Sequence, residues 1–104
     1  MKYWNARRCK ELLEKGTVLA LDIREPYEYQ LVNCGFNNVP MASLIEFLRE
    51  KDRTTPLVLL CQSGKRAQAA GNLMETELGF LEVIIVEQGL QGWQKEVDPS
   101  LKLD

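Results

Sequence analysis

The spacing of apolar and polar positions alternates between helical and strand-like stretches along the chain. "NARRCKELLEKG" carries Cys9, Leu12 and Leu13 at helical spacing, with Asn5 placed as an N-cap and Gly16 as the glycine that ends the helix. "TVLALDIR" is nearly continuous in Val18, Leu19, Leu21 and Ile23, the pattern of a strand covered on both faces. "EPYEYQLV" predicts a short helix, because Pro26 suits a first turn and Glu28 complements a helix N-terminus. "NNVP" reads as a short strand stopped by Pro40. "SLIEFLREK" reads as a helix with Ser43 as cap and Glu46 three residues on. "PLVLLC" is the strongest strand, entered at Pro56. "KRAQAAGNLMETELG" places Ala67, Ala70, Met74 and Leu78 on one helical stripe closed by Gly79. "LEVIIVE" is a further buried strand, and "GLQGWQKEV" a last helix with Trp93 and Val97 inward.

Helices alternating with strands, with no hairpin signal, predict an α/β domain: a mostly parallel central sheet flanked by helices on both faces. In such sheets ligands bind beyond the carboxyl ends of strands, and "LVLLC" delivers Cys61 to that rim.

A length of 104 residues predicts one domain over 1–104 with a modest core. Thirteen basic against fifteen acidic residues, a net charge of −2, argues against a nucleic-acid partner. No apolar run approaches the ~20 residues a membrane span needs. "MKYWNARRCK" lacks the apolar core of a secretory leader. Cys9, Cys34 and Cys61 are odd in number and form no C-x-x-C pair, which points to a reducing cytoplasm rather than a disulfide framework or a zinc site. The chain has no histidine, so Cys-His and Ser-His catalysis are excluded.

The stretch "LVLLCQSGKRAQAAGNLM" therefore poses a choice. Cys61 is either the last small hydrophobe of a strand or a nucleophile held open to solvent. With Arg66 opening the next helix, Gln62, Ser63, Gly64 and Lys65 form a turn whose N–H groups converge near the sulfur. The helix N-terminus adds partial positive charge, Gly64 supplies backbone freedom, and Lys65 and Arg66 add full charges. Each favours thiolate over thiol without an imidazole. Two cations at a helix N-terminus break a local rule, which points to steering of an anionic substrate. Asp22 and Arg24 read as a structural ion pair or cap near the sheet rim, and Glu25 and Glu28 as helix-start charges. Cys9 falls on the apolar stripe of the first helix. Cys34 sits where it is a candidate to resolve a persulfide or disulfide at Cys61 by thiol exchange. Trp93 is read as packing, with a possible second use as a wall of the site.

"LDIREPYEY", "LVLLCQSGKRA" and "VIIVEQGLQGWQ", in that order, resemble a single-domain rhodanese, a sulfurtransferase family. The resemblance rests on Asp22-Ile23-Arg24-Glu25 with Glu28-Tyr29, on the loop Cys61-Gln62-Ser63-Gly64-Lys65-Arg66, and approximately on Gly89, Gly92 and Trp93. It covers Thr17 to Trp93. The chain departs from the family's Gly-His-Ile-x-Gly-Ala at "LVNCGFNNVP", and Gln88 stands where the doubled glycine begins. "YQLVNCGFNNVPM" most resembles rhodanese domains linked to adenylyltransferases.

The resemblance implies a Cys61 nucleophile, with Gln62 to Arg66 binding the substrate and no cofactor or metal. It implies a small sulfur donor (thiosulfate or polysulfide) or a protein persulfide, and cyanide or a thiol as acceptor. Phosphatases and arsenate reductases of related architecture wrap their oxyanion with Cys-x5-Arg. Here only four residues separate Cys61 from Arg66, too few to enclose phosphate. Two rival readings are a non-catalytic interaction module of the same fold and a redox-sensing thiol domain. The intact "CQSGKR" speaks against the first, and Cys34 would help the second if it lay close to Cys61.

Overall fold

A computed structural model describes residues 1–103. Five strands form one sheet: β1 (Lys2–Trp4), β2 (Leu19–Asp22), β3 (Asn37–Asn38), β4 (Leu57–Leu60) and β5 (Val83–Val86). Their order is β1-β5-β4-β2-β3, and every pairing is parallel. Among the described residues the helices are α1 (Ala6–Lys15), α2 (Pro26–Leu31), α3 (Leu44–Leu48), α4 (Lys65–Thr76) and α5 (Gly89–Glu96), with a 3-10 turn over Met41–Ser43.

The continuous apolar runs occupy the middle of the sheet, as double-sided burial requires: every residue of β4 and β5 is buried. Alternate residues serve two cores. Leu21, Ile23, Leu57, Leu59, Val83 and Ile85 meet Leu44 and Leu48 of α3 and Ala67, Ala70 and Met74 of α4. Val58, Leu60, Ile84 and Val86 meet Ala6 and Cys9 of α1, Leu90 and Trp93 of α5, and Phe36. Small residues let α4 lie close to the sheet. A Cβ on Gly71 would sit 2.9 Å from Ile85 Cδ1.

The predicted elements are present, with four differences. β1 was not anticipated: Lys2 pairs with Ile84 and Trp4 with Val86, and Glu87 N–H donates to the Trp4 carbonyl at 2.9 Å. Ser43 closes the 3-10 turn in helical backbone and makes no side-chain cap, so the expected N-cap of α3 is absent. Gly16 lies in extended backbone, a conformation any residue adopts. α4 begins at Lys65, one residue before Arg66, and Gly64 is its left-handed N-cap. Asn5 does cap α1, accepting from Arg8 N–H at 2.9 Å. Gly79 does close the turn after α4, at φ +73°, and Phe80 N–H reaches back to the Met74 carbonyl.

Candidate active site

Cys61 follows β4 directly, at the carboxyl edge of the sheet, on the α3/α4 side. Its residue surface is only 1% exposed, so the open thiol anticipated from the sequence is instead covered by its own loop. The cover is not an apolar seal. Gly64 N–H donates to Cys61 Sγ at 3.0 Å and Ala67 N–H at 3.4 Å, one from the turn and one from the first turn of α4. The helix N-terminus also directs its partial positive charge at the sulfur.

Two devices hold the amides in that direction. Gly64 takes φ +105°, which L side chains rarely adopt. The carbonyls on the other side of the loop are claimed by a second helix: Leu90 N–H donates to the Cys61 carbonyl at 2.8 Å and Gln91 N–H to the Gln62 carbonyl at 3.3 Å. These are N–H groups of the first turn of α5, which its own helix leaves free. With α5 holding the carbonyls, the sulfur meets N–H groups. The contact leaves no room at Gly89, where a Cβ would overlap the Cys61 carbonyl oxygen and lie 2.8 Å from the Gln62 carbonyl carbon.

Asp22 and Arg24 form a fully buried ion pair, Nη2 to Oδ2 at 2.8 Å and Nε to Oδ1 at 3.0 Å. Arg24 also donates to the Val32 carbonyl at 2.7 Å and reaches Gln62 Oε1 at 3.5 Å. It thus ties the end of α2 to the loop after Cys61. Among the described residues no buried side-chain nitrogen or oxygen lacks a partner.

The two cations of the loop part company. Lys65 and Ser63 are exposed, and both line a cleft of about 220 Å³ together with Gly64, Gln68 and Gln88. Arg66 is not the free steering charge expected of it. Its Nη1 and Nη2 donate to Glu28 Oε1 and Oε2 at 2.8 and 2.9 Å, a bidentate fork. The Arg66 fork, aided by a hydrogen bond from Glu25 N–H, holds the Glu28 carboxyl down to about 2 against the burial that opposes it. Glu28 is therefore more than a helix-start charge. No spacing rule pairs it with Arg66; the contact arises because α2 and α4 both start at the same sheet edge.

The other thiols are set apart. Burial pushes Cys9 up to about 12, and its Sγ lies 3.7 Å from the Trp4 carbonyl in the α1/α5 core. Cys34 is likewise pushed up to about 12 by burial and packs against that same core, across the sheet from the side holding Cys61. This removes the geometric basis for Cys34 as a resolving thiol. Trp93 packs edge-to-face on Phe36, with centroids 5.2 Å apart, in the α1/α5 core rather than walling the loop.

Comparison with known proteins gives one family. Residues 5–96 match the rhodanese-like domain. The chain is 30% identical over 94 residues to the thiosulfate sulfurtransferase GlpE of Pseudoalteromonas translucida, covering 89% of each. It is 32% identical over 103 residues to the adenylyltransferase and sulfurtransferase MOCS3-1 of Zea mays, but spans only 22% of that protein. Among solved structures, a rhodanese-related protein of Thermoplasma volcanium superposes with a TM-score of 0.78 at 28% identity, over the full length of both.

Proposed function

The chain belongs to the rhodanese-like domain family, and we propose that it is a sulfurtransferase whose nucleophile is Cys61. In the first step the Cys61 thiolate attacks the outer sulfur of a sulfane donor. With thiosulfate, a new S–S bond forms to Cys61, the donor's S–S bond breaks, and sulfite leaves with the bonding electron pair. In the second step an acceptor attacks the terminal sulfur of the Cys61 persulfide. Cyanide leaves as thiocyanate, a thiol leaves as a persulfide, and the Cys61 thiolate is regenerated.

The observation that carries this reading is the pair of N–H groups, Gly64 and Ala67, aimed at Cys61 Sγ. Donors fixed on a sulfur before reaction stabilise negative charge there without reorganising. They suit a group that is anionic as thiolate and again as persulfide. In this reading Gln62, Ser63, Gly64, Lys65 and Arg66 make up the substrate-binding loop, with Lys65 its exposed cation. Asp22 and Arg24 are structural supports of the loop. A small donor or a protein persulfide, and a thiol or cyanide acceptor, are the partners this chemistry requires. All three cysteines are free thiols, which fits a reducing, cytoplasmic setting.

The test is intact-mass spectrometry after incubation with thiosulfate, polysulfide or a protein persulfide. The wild-type protein should gain one sulfur atom, mapped to Cys61, and lose it on addition of cyanide. Cys61→Ser should gain none, while Cys9→Ser and Cys34→Ser should load normally. A wild-type protein that stays unmodified with every donor hands the fold to the interaction-module reading.

A further inference from the structure

The pairing of Arg66 with Glu28 changes the electrostatics of the loop in a way that bears on the donor. Arg66 presents its fork end-on to one carboxylate, both Nη groups engaged. Glu28 is held in turn by Glu25 N–H at 3.0 Å through the capping box of α2, so the carboxylate is fixed rather than trailing in solvent. The Glu28 side chain is 20% exposed and Arg66 41%, so the pair lies at the surface, with Glu28 lining a cleft beside Gln62 of the loop. Its net charge is zero. What remains to attract an anion is Lys65, Lys102 in the cleft it lines with Glu28 and Gln62, the helix N-terminus and the loop N–H groups. A donor with two negative charges gains nothing from Arg66 unless it displaces Glu28.

We infer that Glu28, by occupying the guanidinium of Arg66, sets the donor preference of this site toward sulfane compounds carrying one negative charge or none, such as thiosulfonates and organic persulfides, over the thiosulfate dianion. The inference rests on the sulfurtransferase reading of Cys61 and deepens it. The chemistry is unchanged: a thiosulfonate passes its outer sulfur to the Cys61 thiolate, and a sulfinate leaves with the electron pair. Glu28 and Arg66 act on approach and binding and form no bond to the transferred sulfur. Glu28 retains its ionised state down to about 2, so the pair stays neutral throughout the physiological range.

Thiosulfate and methanethiosulfonate make the test clean, because they share the sulfane sulfur and differ by one charge. The quantity read is the ratio of kcat/KM for thiosulfate to that for methanethiosulfonate, with cyanide as acceptor at low ionic strength. Both donors are assayed on the same preparation, so the ratio is independent of the folded fraction. Removing one carboxylate charge near a partly exposed site changes the approach of each donor charge by about threefold. Glu28→Gln, which keeps the capping hydrogen bond, should therefore raise the ratio about threefold, mainly through a lower KM for thiosulfate. Arg66→Gln, which leaves Glu28 unpaired, should lower it by a similar factor. The double variant restores a neutral pair and should return the ratio to the wild-type value.

A ratio that does not follow the charge of the pair in these three variants, with both donors falling in parallel, would show Glu28 to be a prop for α2 and overturn the inference. If the wild-type protein accepts sulfur from neither donor, the reading of Cys61 fails and the inference falls with it. If it accepts sulfur and the ratio stays fixed, only the inference fails.

Discussion

Gly89→Ala tests the claim that a helix far along the chain holds the Cys61 loop in shape. Gly89 lies at φ +55°, where an L side chain costs about 1–2 kcal/mol. Its added Cβ would also overlap the Cys61 carbonyl oxygen and crowd the Gln62 carbonyl. These are backbone atoms, which cannot rotate aside. Relief requires α5 to retreat from the loop, which gives up the hydrogen bonds Leu90 N–H to Cys61 O and Gln91 N–H to Gln62 O. At about 0.5–1.5 kcal/mol each, their loss brings the total to about 2–5 kcal/mol. Gly35→Ala is the control, because Gly35 is also left-handed, at φ +92°, but has open space around it. It should lose only the backbone cost, about 1–2 kcal/mol. Urea denaturation reads the difference: with a slope of about 2 kcal/mol/M, Gly89→Ala should lower the midpoint by about 1–2.5 M and Gly35→Ala by less than about 1 M. Sulfur loading of the folded Gly89→Ala protein should also fall, while Gly35→Ala loads as wild type. Equal midpoints for the two variants would refute the idea that α5 and the loop are locked together.

Three further outcomes follow from the same geometry. Gln88 is a non-glycine residue at φ 60°, so Gln88→Gly should leave stability unchanged or raise it by up to about 1 kcal/mol, read as a higher melting temperature; a clear loss would contradict this. Asp22→Ala strands the Arg24 guanidinium in a fully buried position and should cost about 3–5 kcal/mol in chemical denaturation; a loss below about 1 kcal/mol would mean that water reaches the pair. The Glu28 carboxyl is depressed from 4.5 to about 2, so its contribution is present above pH 4.5 and is lost as pH falls toward 2. The stability gap between wild type and Glu28→Gln should accordingly be widest at neutral pH and close in acid, and a gap that is flat with pH would remove the ion pair as its source.

What was legible in the sequence was what local pattern encodes. The uninterrupted apolar runs of β4 and β5 placed them in the middle of a covered sheet, and Asn5 and Gly79 marked real helix ends. β1 escaped because Lys2-Tyr3-Trp4, although Tyr and Trp favour strands, is too short to show a strand period. Lys2 and Tyr3 are exposed, and the segment becomes a strand only by pairing with β5, some eighty residues on. Ser43 failed as a cap because Pro40 and the 3-10 turn had already fixed its backbone in helical geometry, which denies a side-chain cap the extended form it needs. At the site, loop composition was enough to foresee amides near the sulfur. The charge balance was not legible, because it depends on Glu28 and Arg66 meeting across 38 residues of sequence.

The depth of Cys61 follows from the same cause as its hydrogen bonds. The four-residue loop between β4 and α4 cannot help to turn N–H groups onto a sulfur while its carbonyls point the same way, so those carbonyls need another taker. The free N–H groups of α5 are that taker, and they reach the loop only if α5 lies against it, which is possible because Gly89 has no side chain. The approach that orients the amides also folds the loop over the thiol, leaving the Cys61 residue 1% exposed. At Cys9 and Cys34, on the other side of the sheet, burial dominates and pushes the thiols up to about 12. Cys61 is enclosed by donors placed on its sulfur, and the glycine that makes this possible lies 28 residues downstream of the cysteine. In this fold the candidate site includes the start of α5 as much as the loop that carries Cys61.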